Sequence, residues 1–245
     1  MNSAVACWRT GRVLLHVLWG LAQILLLFPR LPQARRDLRV QAWARSMLRC
    51  LGVELQLVGT PPVTGPMLLV ANHISWLDIL VLHAARHCRF VSKSDVRHWP
   101  LVGTLATGGG TLYIERASRR DAMRVVHRMA QALKDGDILA VFPEATTGDG
   151  KTLLPFHANL IQAAISAGAP VQPVVLRFVD GRTGAPSRAM SYVGDESLLG
   201  SLWRTLRARG VRAVVTYGAP QYAMERDRRS WARDLHADIR AMQTV

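Results

Sequence analysis

The sequence predicts an α/β fold: a central, largely parallel sheet flanked by helices, preceded by an N-terminal helical segment that associates with a membrane. Two patterns carry the first part. From residue 52 onward, short runs rich in aliphatic and β-branched residues recur, and stretches of helical period separate them. One pattern carries the second: residues 13–28, VLLHVLWGLAQILLLF, are the most apolar stretch and have arginines at both ends. The 245 residues suffice for one sizeable core, and no Pro/Gly/Ser-rich linker divides them. The reading is one of anchoring helices over 1–51 and an α/β domain over 52–245.

The elements follow in order. Sixteen helical residues reach roughly 24 Å, short of the roughly 30 Å hydrocarbon core of a bilayer. His16 and Gln23 weaken a full span further, so the expectation is a helix dipping into one leaflet; a signal peptide and a soluble core helix are the competing readings. No small-residue cleavage site follows, since the next residues are PRLPQARRD. Arg35 to Leu51 mixes basic and apolar tracks, as a helix lying at an interface does. Residues 53–59, 67–71, 89–92, 111–114, 138–142, 171–178 and 211–218 read as strands. Residues 79–87, 118–135 and 159–168 read as helices, the last capped by Gly168. A further helix over 196–210 puts Leu198, Leu199, Leu202, Trp203 and Leu206 on one face, expected to face the core, with a second membrane contact as the alternative.

The formal charge is +14, and 28 of the 31 basic residues are arginine. Such an excess points to an anionic partner, either nucleic acid or an acidic lipid surface. Residues 1–50 hold eight Arg and one Asp, half of the net charge, around the apolar helices. Interleaved aromatics that would stack nucleotides are lacking. The expectation is therefore an anionic membrane and no nucleic acid. Cys7, Cys50 and Cys88 form neither a CxxC pair nor a zinc spacing, which fits a reducing compartment.

The run MLLVA (67–71) is followed at once by Asn72 and His73, and Asp78 stands five residues beyond the histidine. In α/β sheets, chemistry gathers past the carboxyl ends of strands. Five helical residues leave two side chains about 140° apart. They meet only if His73 lies in a turn and the helix starts near Ser75, so that Asp78 in the first turn reaches back. SWLD is itself a capping box, Ser75 as N-cap and Asp78 at N3. Two readings fit: a capped helix with a turn histidine, or a histidine base oriented by a carboxylate. Ser75 is the nearest hydroxyl and no GxSxG elbow occurs, so a base here points to a hydroxyl on the substrate.

NHISWLD resembles the NHx4D block of the glycerolipid acyltransferase family, typified by 1-acyl-sn-glycerol-3-phosphate acyltransferase. GTLYIER (110–116), FPEATT (142–147) and APVQPVV (169–175) follow in order and resemble its second, third and fourth blocks. The resemblance implies a glycerol-3-phosphate acyltransferase-like fold. It also implies an O-acyltransferase that moves a fatty acyl group from acyl-CoA or acyl carrier protein to the free hydroxyl of a lysophospholipid. Lysophosphatidic acid is the leading acceptor. His73 is then the general base and Asp78 its orienter, and Arg116, Glu144, Thr146, Thr147 and Asn72 surround the acceptor. No metal or other cofactor is implied, transfer is direct, and backbone amides near the helix start take the oxyanion. The implied location is the cytoplasmic side of the inner membrane, as a peripheral or monotopic protein.

Each block also has a plainer reading. Arg116 at a strand end can grip a phosphate or pair with Glu115 or Asp121; Glu144 and the threonines can be turn chemistry; Pro173 suits an edge or bulge and serves packing. His83 and His87 stand at i, i+4 without a third metal ligand in step. Two departures from the family pattern stand out. Ala145 replaces the usual Gly, so a positive φ there is strained, and Thr147 replaces a common Arg, removing a phosphate ligand. FPEATTGDG with LLPFHANLIQAA resembles the lyso-ornithine lipid acyltransferase branch, the alternative acceptor class. A thioesterase or serine hydrolase is the rival from another class, with water as the acceptor.

Overall fold

The computed structural model describes residues 2–114 and 119–243. Helix α1 (Asn2–Ala22) continues through a π turn (Gln23–Leu27) and a 3-10 turn (Phe28–Arg30) to α2 (Gln33–Leu51). There follow β1 (Val53–Val58), β2 (Met67–Ala71), α3 (Leu77–Ala85), β3 (Arg89–Lys93), α4 (Val102–Gly108) and β4 (Leu112–Ile114). The chain ends with α5 (Arg119–Lys134), β5 (Ile138–Val141), α6 (Gln162–Ala167), β6 (Val171–Asp180), α7 (Leu198–Arg207), β7 (Val211–Tyr217) and α8 (Arg228–Gln243).

All seven expected strands are present and form one sheet in the order β1-β7-β6-β2-β5-β3-β4. Neighbours pair in parallel except β6 with β7, so β1 and β7 run against the other five. Strand β2 lies at the centre, and its alternation explains why all five of its residues are apolar. Met67, Leu69 and Ala71 enter a core with Leu48, Leu51, Leu77 and Leu82, on the side of α2, α3 and α7. Leu68 and Val70 enter a second core with Met129, Leu133, Ile161 and Trp231, on the side of α5, α6 and α8. A strand covered on both faces has no polar side to show.

Pro173 does not sit at a sheet edge. It lies in β6 between β2 and β7, opposite Val70. The ladder to β7 starts only at Val174, and two residues of β6 then face three of the segment after Tyr217 before Val171 pairs with Gln221. That bulge leaves the proline nitrogen where a donor is not needed, while its carbonyl still accepts from Gly218 N at 2.9 Å.

Helices α4 and α8 were not expected. The first has seven residues, too few to show a period; the second buries Trp231, Leu235 and Ile239 at helical spacing under a heavy coat of charge. Helix α3 begins and ends two residues earlier than expected, and α6 is shorter than expected. Gly168 caps α6 in the left-handed region, φ 62°.

The N-terminal helices are part of the fold. Leu48 and Leu51 of α2 are fully buried, and Arg45 Nε and Gln41 Nε2 donate to the last carbonyls of α3, Ala84 and Ala85, at 2.7 and 2.9 Å. Helix α1 is turned inside out: its polar residues face the protein. Arg9 Nη1 donates to Leu206 O (3.0 Å), His16 Nε2 bonds Trp43 O (2.9 Å), and Gln23 Oε1 accepts from Arg39 Nη1 (3.1 Å). Leu14, Leu15, Leu18, Trp19, Leu25 and Leu26 are exposed. The continuous helical stretch Ser3–Arg30 has 28 residues, long and apolar enough to cross a membrane by length and composition. It is longer than the apolar run suggested, because polar residues extend it at both ends.

Candidate active site

Strands β2 and β5 are parallel neighbours, so the chains leaving their carboxyl ends emerge side by side. The first contributes residues 72–78 and the second Phe142 to Gly148. Regular helix begins at Leu77, so His73 lies in the turn before it. That geometry solves the spacing of five: Asp78 Oδ2 reaches back to His73 Nδ1 at 2.8 Å and also accepts from the N–H groups of Ile74 (2.6 Å) and Ser75 (2.8 Å). One half of the capping box is therefore made, by the carboxylate. The Ser75 hydroxyl accepts from Leu77 N at 3.2 Å rather than from Asp78 N, which donates to Ser75 O.

Asp78 is fully buried and its Oδ2 already receives two amide protons. It can only accept from the imidazole, so Nδ1 carries the ring proton and Nε2 is left as a base. No partner for Nε2 occurs among the described residues. The ring stacks on Phe142 from the β5 side, centroids 4.0 Å apart and planes 10° off parallel.

Glu144 was expected beside the acceptor. It is instead buried, its Oε1 accepting from His73 N at 2.7 Å and its Oε2 from Leu154 N at 2.8 Å. Burial raises its pKa above the ordinary carboxylate value, although the two amide donors pull the other way. The carbonyl of His73 in turn accepts from Gly148 N at 2.8 Å, so the β5 loop holds the main chain of the base at both ends. Between these two anchors stands Ala145 at φ 60°, the positive φ that its replacement of glycine made costly.

Asn72, also expected to touch the acceptor, is buried with both ends of its amide on β6. Its Nδ2 donates to Leu176 O (3.0 Å) and its Oδ1 accepts from Leu176 N (2.7 Å), extending the ladder past the end of β2. Thr147 donates its hydroxyl to Tyr192 O, and Tyr192 N donates to Ile74 O at 3.0 Å. Thr146 is exposed on the rim. Arg116 lies outside the described residues. Beside β4, three strands from β2, a cavity of about 1030 Å³ opens among Arg97, His98, Tyr113, Arg124, His127 and Arg128.

Near the helix start the amides of His73, Ile74, Ser75, Leu77 and Asp78 are bonded within the protein, which leaves that of Trp76 without an acceptor among the described residues. Those of Thr146 and Thr147, just past the left-handed residue, have no acceptor among the described residues. Sequence reasoning also missed Phe142 and Tyr192. The first had a signal in its place within FPEATT; the second had none. His83 and His87 stack on each other at 5.2 Å, and His87 Nε2 pairs with Asp37 Oδ1 at 3.1 Å, while the Nδ1 atoms of both are buried without a hydrogen-bond partner.

A family model described as Acyltransferase matches residues 53–177. A lyso-ornithine lipid O-acyltransferase of Pseudomonas aeruginosa is 37% identical over 90% of this chain and 86% of its own length. A 1-acyl-sn-glycerol-3-phosphate acyltransferase of Neisseria gonorrhoeae is 36% identical over 84% and 81%. The crystal structure of the 1-acyl-sn-glycerophosphate acyltransferase of Thermotoga maritima superposes with a TM-score of 0.72 at 16% identity, covering 99% of this chain and 95% of that one, a likeness of fold. The NHx4D block and the three that follow it all lie inside the matched span, and the chain belongs to the acyltransferase family.

Proposed function

We propose that this chain acylates the free hydroxyl of a lysophospholipid at a membrane surface, with acyl-CoA or acyl carrier protein as thioester donor. The observation that carries the reading is His73, its Nδ1 proton held by a buried carboxylate and its Nε2 open. Nε2 takes the proton of the acceptor hydroxyl, and the oxygen attacks the thioester carbonyl. The tetrahedral intermediate expels the thiolate, which takes the proton back from the imidazolium. Asp78 steadies that cation. We take the unbonded amides of Trp76, Thr146 and Thr147 as the donors for the oxyanion. Glu144 and Asn72 act as positioning residues, and Arg116 is proposed as a ligand for the anionic head group.

Two acceptors fit the family: lysophosphatidic acid and lyso-ornithine lipid. The first has the relatives of the phosphate type behind it. The second is favoured by Thr147, whose hydroxyl is spent on Tyr192 where a family arginine would reach for phosphate. One labelled thioester offered with each acceptor separates them. His73→Ala should leave a folded protein with turnover reduced by roughly 10²- to 10⁴-fold, the worth of a positioned base; near wild-type turnover would refute the mechanism. Acid quench during turnover should trap no acyl-protein ester, and one on Ser75 would replace direct transfer by two steps.

The outward apolar face of α1 supports attachment to one leaflet of an anionic membrane. Its polar inner face is committed to the protein and is not free to meet lipid. Since the thioester donors are cytoplasmic, the site is proposed to face the cytoplasm from the inner membrane. Removing residues 1–34 should greatly weaken co-sedimentation with anionic vesicles.

A further inference from the structure

Helix α7 repeats the inversion seen in α1. Its inward face carries Ser201 and Thr205, at 0% and 1% exposure, beside Leu206, while Leu199 and Trp203 stand out at 78% and 42%. Residues 199 and 203 share one track of the helix, and Leu198 widens it. A helix packing on a core places these residue types the other way round. The polar groups inside are used: Ser201 Oγ accepts from the Trp76 indole at 3.2 Å, and Arg204 folds back onto Ala189 O (3.1 Å), Ser191 O and Glu196.

These bonds fix α7 relative to the base. Trp76 stands three residues after His73, and the segment strapped by Arg204 includes Tyr192, which is bonded to both Ile74 and Thr147. Helix α7 also packs on α1, where Arg9 donates to Leu206 O at 3.0 Å and to Ala208 O. Arg12 and Arg209 both lie close enough to act on Arg9 electrostatically, so arginines gather where the two helices meet.

We propose that α7 is a second membrane-contact element, its Leu198, Leu199 and Trp203 entering the same leaflet as α1. The two contacts together hold the His73 end of β2 toward the bilayer. Aliphatic and indole side chains beside an arginine cluster match a surface of anionic phospholipid. The function of such a contact rests on the lysolipid reading above. An acceptor whose chain stays in the leaflet must bring its hydroxyl to Nε2, and the depth of α7 sets that distance.

The test uses the full chain with Cys7→Ser, since Cys7 is the exposed cysteine and Cys50 and Cys88 are buried. An environment-sensitive fluorophore is attached in turn at Leu199→Cys, at Leu15→Cys on α1, and at Met224→Cys. Met224 follows β7, whose carboxyl end lies at the opposite end of the sheet from His73. Vesicles of phosphatidylcholine with phosphatidylglycerol should brighten the labels at 199 and 15 severalfold and shift them to the blue, leaving 224 unchanged. In a second arm, Leu199→Glu and the milder Leu199→Ser are assayed with acceptor in vesicles and with a short-chain acceptor free in solution. The Glu variant should raise KM for the vesicle-borne acceptor about tenfold, as loss of one buried apolar side chain implies, and leave turnover of the soluble acceptor unchanged.

A silent label at 199 beside a responsive label at 15 would overturn the proposal. So would equal losses on both acceptors, which mark a purely structural helix, or a dimer that Leu199→Glu dissolves without any vesicle response at 199. Absence of transfer by the wild-type chain to any lysolipid would instead refute the proposed function, because the label readings do not depend on turnover.

Discussion

A left-handed alanine costs about 1–2 kcal/mol more than ordinary helical or extended backbone, and Ala145 bears that cost inside the loop that seats the base. Its neighbours leave no freedom to relax: Glu144 is tied to His73 N and Leu154 N, and Gly148 N to His73 O. Glycine adopts this φ without a clash but loses more entropy on folding. Ala145→Gly should therefore raise the unfolding free energy by about 1 kcal/mol, seen in detergent as a higher urea midpoint at unchanged slope, with activity kept. This strain was legible in the sequence, because the replacement of a patterned glycine names both position and conformation. Which amides remain free was not legible. Whether an N–H is spent depends on a partner such as Glu144 Oε1, 71 residues from His73, and spacing within a block carries no word of it.

Helix α1 shows what periodicity conveys and what it leaves open. The apolar stripe of residues 13–28 was evident, but a stripe does not say which side is outside, and here the side with His16 and Gln23 turned inward. Gly20 makes that packing close: a Cβ there meets Trp43 Nε1 at 2.5 Å and Leu105 Cδ2 at 3.2 Å. Gly20→Leu should thus separate α1 from α2 and break the paired bonds between His16 and Trp43. A loss of about 1–3 kcal/mol, with accelerated proteolysis between residues 22 and 33, is the expected outcome. Helix α7 had the same ambiguity. Its face of leucines and tryptophan was expected against the core, and the structure shows Leu199 and Trp203 outside because Ser201 and Thr205 had hydrogen-bond and packing partners within.

At the scale of the whole molecule, two cores face each other across β2, and acid threatens one of them. His83 is buried against His87 and Phe90, and burial first, then the charge of His87, pushes its pKa down to about 3. The unfolded chain titrates this group near 6.5, so between about 6.5 and 3 it binds a proton that the native state refuses. Stability therefore falls as pH drops through that window. His83→Leu should flatten the decline, as thermal unfolding at a series of pH values would show. The seven strands were legible as local patterns. Their order was not, because adjacency of β7 to both β1 and β6 is a choice among distant surfaces. The tie between Arg9 and Leu206 spans 197 residues, and that between Asn72 and Leu176 spans 104. During synthesis, then, α1 can close on α2 early, through His16 with Trp43 and Gln23 with Arg39, whereas its tie to α7 through Arg9 waits for Leu206. On the proposed membrane attachment, a ribosome would expose the anchor while the catalyst is still unfinished.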